Sequence, residues 1–335
     1  MWAAPNYADT TTADYVDGED LVVRRAAVDA LGGLNGAVVV SDPNTGRILS
    51  IVNQRVALSS AFIPCSTIKV VAGLAGLSEG IVDRNTQLVV WKSRSRRRPG
   101  VRTMNLTEAL AVSNNPYFMR LGEKLGFQRI VEYARMYGLG EYAGINIPEE
   151  HPGQLPAAPP SIGVGYMTSF GTGFKMTALQ LSALMGAIAN GGTLYYQQYP
   201  RSQSEMDGFV PQVKRRLPIA ELIPEVKPGL MGATTFGSAR RSASDPDEPI
   251  LGKTGTCTDN SSPVHMGWFG SFNEVGKNKI VVVVMLTGAD AVNGPVASGV
   301  AGRLYRSLSE QGYFEQPRST SPVALISTQS CCTSP

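Results

Sequence analysis

Histidine is almost absent: the 335 residues hold two, His151 and His265. No cysteine or histidine spacing matches a metal site, so a His-based metal centre is not expected. Cysteine is scarce as well, with four copies. Cys331 and Cys332 lie in a Ser/Thr/Pro-rich tail, while Cys65 and Cys257 stand alone, so no disulfide framework can be read. Cys65 reads as a small buried apolar residue, with a reactive or bridged thiol as the alternative. Long apolar runs are missing too. "IVVVVML" at 280–286 has strand length and "ALQLSALMGAIA" at 178–189 has helix length; neither approaches the ~18 residues of a membrane span.

Charge of one sign is also lacking, since the formal net charge of +3 is too small to argue for nucleic acid. One basic cluster stands out, "WKSRSRRRPGVR" at 91–102. It reads as a solvated loop, with contact to an anionic surface or polymer as the alternative. The first twenty residues have neither a basic n-region nor an apolar h-region, which excludes a signal peptide there. They read as an acidic leader, on a protein that is either soluble as made or separated from its anchor.

What is present is a sizeable globular core: 43% hydrophobic residues against 17% charged, enough for one large domain or two ordinary ones. "LVVRRAAVDAL" at 21–31 has helical periodicity and stops at Gly32-Gly33. "GAVVVSDPNTGRILSIVN" predicts a hairpin around Asp42–Gly46, with Asp42 and Asn44 as turn residues. A helix is expected from Ser66 to about Glu79, and mostly helix over 105–190. The stretch 197–249 predicts loops with one or two short helices. From 250 the pattern switches to strands, "PILGKTGTCT", "VHMGWFGSFN" and "NKIVVVVMLTG", followed by the helix "GPVASGVAGRLYRSL". This order predicts an α+β fold: an antiparallel five-stranded sheet flanked by helices, with a helical subdomain inserted. The expected division is a leader and short helix at 1–35, one domain at 36–315 and a disordered tail at 316–335.

Three polar clusters interrupt apolar runs. Ser66 and Lys69 open the helix "SSAFIPCSTIKVVAGLAGLSEG"; Ser113 and Asn115 lie in "SNN"; Lys253, Thr254, Gly255 and Thr256 form "KTGT". Lys69, three residues on, shares a helix face with Ser66. A lysine that takes a serine proton must be neutral, which requires burial or a neighbouring cation. Lys253 is the candidate cation, and the helix N-terminus at Ser66 favours developing negative charge. Taken singly, Ser113 is as readily a helix-end cap and Lys253 an ordinary strand start. His265 reads as a packing or hydrogen-bonding residue, and Glu149 and Glu150 as surface residues.

In this order and at these separations, Ser-x-x-Lys, Ser-x-Asn and Lys-Thr-Gly resemble the serine penicillin-recognising enzymes. "LTEALAVSNNPYFMRLGEKLG", "GLGEYAGINIPEE", "GFKMTALQLSALMGAIANGGTL" and "LGKTGT" look like the transpeptidase domains of penicillin-binding proteins, with coverage from about residue 36 to 312. The resemblance implies a peptidoglycan D,D-transpeptidase working through a Ser66 acyl-enzyme, with carboxypeptidase side activity. Lys69 would be the base and Ser113 the proton relay to the leaving amine. Asn115 would hold the substrate backbone, and Lys253, Thr254 and Thr256 its terminal carboxylate. The N–H groups of Ser66 and Thr256 would form the oxyanion hole, and Gly255 would leave room for substrate along the strand. No cofactor is implied. Stem peptides and β-lactams are the implied partners, with other wall-synthesis proteins as further candidates, at an extracytoplasmic site.

A β-lactamase and a non-catalytic sensor share these motifs. No E-x-x-L-N motif supplies a deacylating Glu, and Asn115 departs from class D enzymes; both lean toward the transpeptidase. Family members normally carry an anchor and a further large domain, which are expected to be absent here.

Overall fold

The computed structural model describes residues 13–93, 100–145, 147–258, 264–288 and 292–315. The first twelve residues, the arginine run at 94–99, and the tail from 316 with Cys331 and Cys332 lie outside the described residues.

Strands β1 (Gly36–Ser41) and β2 (Ile48–Val52) form the expected hairpin. Asn44 N–H donates to Asp42 Oδ1 at 2.8 Å, and Gly46, at φ 73°, closes the turn. The three late strands are β3 (Ile250–Thr258), β4 (His265–Asn273) and β5 (Val281–Gly288). The sheet runs β2-β1-β5-β4-β3, so the hairpin pairs with the last strand, Gly36 opposite Leu286 through Ser41 opposite Val281. This is the five-stranded antiparallel sheet that the order of elements predicts.

Every residue of β1 and β2 is buried, because helices cover both faces and the alternation of side chains serves two cores. Val38, Val40, Val282 and Val284 face α1 (Leu21–Leu31) and α8 (Gly294–Glu310). Val39, Val281 and Val283 belong to the other core, with α6 (Ala178–Ala189). Segment 13–35 is tied to this sheet: Glu19 accepts from Ser50 Oγ at 2.7 Å and Ile51 N–H at 2.9 Å.

The helical subdomain holds α2 (Ile68–Ser78), α3 (Leu106–Ala111), α4 (Asn115–Leu125) and α5 (Phe127–Met136). Helix α2 is buried on all sides from Ile68 to Leu77, as expected of a helix apolar all round. Burying its valine, isoleucine and leucine side chains is worth ~1.5–3 kcal/mol each. That sum offsets the cost of desolvating one amine, whose pKa is lowered by burial.

Two expectations need correcting. Within 197–249 lies a 13-residue helix, α7 (Ile223–Thr235), longer than expected. Its two prolines obscure it in sequence: Pro224 sits in the first turn, where no N–H is needed, and Pro228 lies inside. Glu150 is not a surface residue; it is 5% exposed. Its carboxylate accepts the N–H groups of Ala143 at 2.7 Å and Gly144 at 2.8 Å, and burial raises its pKa. Glu149 is exposed as expected, paired with Arg201 at 2.9 Å.

Candidate active site

A 3-10 turn, Cys65–Thr67, leads into α2 and presents Ser66. Cys65 lies in the left-handed region at φ 51°, a conformation costly for a residue with a Cβ. Thr67 Oγ1 donates to Pro64 O at 2.6 Å and holds the turn closed. Lys69 follows on the first turn of α2, fully buried, and its amine lies 2.8 Å from Ser66 Oγ.

The second cluster occupies the corner between α3 and α4. The helix cap there is Asn114, which accepts from Tyr117 N–H at 2.9 Å, with Pro116 just inside the helix. Ser113 is thereby freed from capping. Its φ of 56° turns its side chain and carbonyl toward α2: Lys69 Nζ is 2.9 Å from Ser113 O and 3.1 Å from Ser113 Oγ. Asn115 Oδ1 accepts from the same amine at 2.6 Å.

The third cluster is on β3, an edge strand whose sole sheet neighbour is β4. Period-two alternation directs residues 253, 255 and 257 to one face, and all three meet the nucleophile's surroundings. Lys253 is fully buried and donates to Ser113 Oγ at 2.8 Å and Thr254 O at 3.0 Å. At Gly255 the strand crosses the nucleophile turn so closely that a Cβ would meet Pro64 O at 3.0 Å and Thr67 Cγ2 at 3.2 Å. Cys257 is bonded to Cys65, so Cys65 is bridged as well as buried, which corrects its reading as an unbonded apolar residue. Thr254 and Thr256 face the other way. Thr254 is buried with its hydroxyl 2.6 Å from Ser238 Oγ, whereas Thr256 is exposed and accepts from Gly294 N–H at 2.8 Å.

Five of the eight residues singled out in sequence, Ser66, Lys69, Ser113, Asn115 and Lys253, are joined by hydrogen bonds; Thr254 joins through its carbonyl and Gly255 through its contact with the turn, while the Thr256 side chain turns away to Gly294. Ser113 Oγ bridges two amines. Burial pushes Lys69 well below the ordinary lysine value, and the charge of Lys253 adds to that push. Burial alone brings Lys253 down to about 7. Lys69 Nζ faces two oxygens that only accept, Ser113 O and Asn115 Oδ1. A neutral amine spends both of its hydrogens on them and aims its lone pair at the Ser66 hydroxyl. Among the described residues no carboxylate hydrogen-bonds to Ser66, Lys69, Ser113 or Lys253. Nor is any group of His, Cys, Asp and Glu gathered that could hold a metal ion.

Sequence reasoning missed two members. Ser169, fully buried, reaches Asn115 Oδ1 at 3.2 Å, and its carbonyl lies 3.5 Å from Ser66 Oγ. Ser238 holds Thr254. Each is a serine among small residues, in "MTSFG" and "FGSAR", with no pattern to flag it. His265, expected to pack or hydrogen-bond, lies 3.3 Å from Thr258 Oγ1.

Comparison with known proteins accords with this geometry. A family model for the penicillin binding protein transpeptidase domain matches residues 36–307. The chain is similar to penicillin-binding protein PbpB of Mycolicibacterium smegmatis, 27% identical over 226 residues, covering 59% of this chain and 35% of that one. It is similar to peptidoglycan D,D-transpeptidase MrdA of Escherichia coli K12, 25% identical over 255 residues, covering 59% of this chain and 39% of the other. The chain thus spans well under half the length of these curated relatives. In fold it resembles penicillin-binding protein A from M. tuberculosis, solved as a ceftriaxone acyl-enzyme complex. That match has a TM-score of 0.72 at 22% identity, over 85% of this chain and 78% of that one.

Proposed function

The chain belongs to the penicillin-binding-protein transpeptidase family, and on that premise we propose that it is a peptidoglycan D,D-transpeptidase acting through an acyl-enzyme on Ser66. One observation carries the reading: a fully buried lysine amine 2.8 Å from a serine hydroxyl, with Ser113 Oγ standing between that amine and a second buried lysine.

Neutral Lys69 takes the Ser66 proton as Oγ attacks the carbonyl of the penultimate D-alanine of a donor stem peptide. The oxygen that becomes negative is received by the backbone N–H groups of Ser66 and Thr256; such donors are typically worth ~3–4 kcal/mol each. Asn115 holds the donor's peptide backbone through its amide. The Lys253 ammonium takes the terminal carboxylate, while Thr254 and Thr256, on the opposite face of β3, fix the strand through Ser238 and the Gly294 N–H. Ser113 passes a proton to the departing D-alanine amine, drawing on the Lys69–Lys253 pair it bridges.

The acyl group then moves to an amine of a second stem peptide. Water in place of that amine gives carboxypeptidase side activity. Among the described residues no carboxylate hydrogen-bonds to this cluster to activate water, so the acyl-enzyme outlives a β-lactamase intermediate, and β-lactams inhibit the protein as trapped substrate mimics. This chemistry belongs outside the cytoplasmic membrane, where the wall is built. Among the described residues no helix is long and apolar enough to cross a membrane.

Labelled penicillin is expected to acylate Ser66, and Ser66→Ala to abolish the label; labelling that survives the substitution rejects the assignment. The acyl-enzyme should persist for minutes. Turnover within seconds would make the protein a β-lactamase. Failure to join a synthetic donor stem peptide to an acceptor amine would make it a sensor.

A further inference from the structure

Under this acyl-transfer reading the oxyanion hole is assembled from segments that are distant in sequence. One donor is the N–H of Ser66 on the nucleophile turn, the other the N–H of Thr256 on β3. The turn and the strand are not neighbours in a sheet. As an edge strand, β3 is held by β4 alone, and the edge that borders the turn has no ladder to fix its distance. The contact at Gly255 excludes closer approach but does not prevent separation. Trp268 Nε1, donating to Ile63 O at 3.0 Å, ties the turn to β4 and not to β3.

The covalent tie sits at the two donors. Cys65 immediately precedes Ser66 and Cys257 immediately follows Thr256; their Cα atoms are 5.5 Å apart although 192 residues separate them in sequence. We propose that Cys65 and Cys257 are positioning residues for acyl transfer, their disulfide clamping the two donors of the oxyanion hole at the separation the tetrahedral oxygen requires. The bond also holds Cys65 in its left-handed conformation, which sets the direction of the next N–H, that of Ser66. Among the described residues no hydrogen bond joins it to the Lys69–Ser113–Lys253 cluster. The clamp thus acts on stabilisation of the oxyanion and leaves proton transfer alone.

Cys65 is fully buried and Cys257 half-buried, so a small thiol reaches the bond from the Cys257 side. Dithiothreitol supplies two electrons and two protons, leaves as its cyclic disulfide, and releases two thiols in the protein. Acylation by a chromogenic cephalosporin is measured on oxidised protein, on reduced protein and on the double variant Cys65→Ala/Cys257→Ser, with peptide mapping to establish the state of the bond. Opening the bond is expected to lower the acylation rate constant by ~10- to 100-fold. Non-covalent affinity, the final stoichiometry of label and the pH at which acylation rises should stay as they are, and reoxidation of the reduced protein should restore the rate. An unchanged rate with the bond mapped as open overturns the proposal. So does a loss confined to stoichiometry, with the remaining fraction reacting at full rate, because that marks a folding staple only. Absence of Ser66 labelling in the oxidised protein removes the acyl-transfer reading and the clamp with it, an outcome distinguished by being the same in both redox states.

Discussion

Lys69 and Lys253 are both fully buried and among the described residues neither pairs with a carboxylate, so burial pushes both amines toward the neutral form. Proximity decides which amine yields: the charge of Lys253 adds to the burial that depresses Lys69. Replacing Lys253 by methionine removes that charge and keeps the stem. The rise of acylation with pH should then move to higher pH, because Lys69 holds its proton longer, and acylation at pH 7 should fall by ~10-fold or more. A pH profile of acylation checks this; a limb that does not move removes Lys253 from control of the base. Most of this residue-scale picture was legible in sequence. The i, i+3 spacing of Ser66 and Lys69 follows from helix geometry, and Lys253 was marked by the resemblance of its Lys-Thr-Gly motif before it was named the candidate cation. The bridging of Cys65 was legible only as an open alternative, because settling the pair with Cys257 requires knowing that β3 crosses the turn. The burial of Glu150 was not legible: nothing in "PEEHPG" tells which of two adjacent carboxylates will face backbone N–H groups.

At the scale of elements, the site depends on how closely β3 crosses the turn at the head of α2. Gly255 marks the crossing; a methyl group there meets Pro64 O at 3.0 Å, Trp268 Cβ at 3.1 Å and Thr67 Cγ2 at 3.2 Å. Backbone and a packed ring yield little, so Gly255→Ala should push the strand off the turn. Acylation should fall by ~10-fold or more while the far-UV spectrum and cooperative unfolding persist; wild-type acylation rates in the variant would show that the crossing has slack. Strands β3, β4 and β5 were readable because their β-branched and aromatic runs are bounded by turn residues. Helix α7 was less so, since proline at two of its positions reads locally as a break while tertiary packing, chiefly against α3 and β3, maintains it.

For the molecule as a whole, burial of the lysines ties stability to pH. The pKa of Lys253 falls from 10.5 to about 7 on folding. At pH values above the first figure neither the native nor the unfolded chain protonates this amine. As pH falls between the two, the unfolded chain takes up the proton and the native one does not, so stability falls. Below the second both are protonated and the loss stops. The slope reaches ~1.4 kcal/mol per pH unit for one such group. Denaturant unfolding between pH 7 and 10 should show wild-type stability rising with pH and the Lys253→Met variant rising less; parallel curves would mean that the amine is solvated in the native state. The overall architecture was anticipated from the order of hairpin, helical block and late strands. The closure of the sheet through β1 and β5 could be inferred because an antiparallel sheet with covered faces leaves the first hairpin few other partners.

The pairing of β1 with β5 also sets the order in which reactivity arises. A polypeptide that emerges N-terminus first presents its serine early, yet the sheet cannot close until the final strands arrive. Long-range pairing of this kind is slow and leaves unpaired edges exposed meanwhile. Until then the hydroxyl lacks Lys253 and the Thr256 N–H, so under the proposed acyl transfer a nascent or truncated chain is expected to resist labelled penicillin. On that mechanism, an antibiotic present during synthesis is expected to mark only molecules whose sheet has closed.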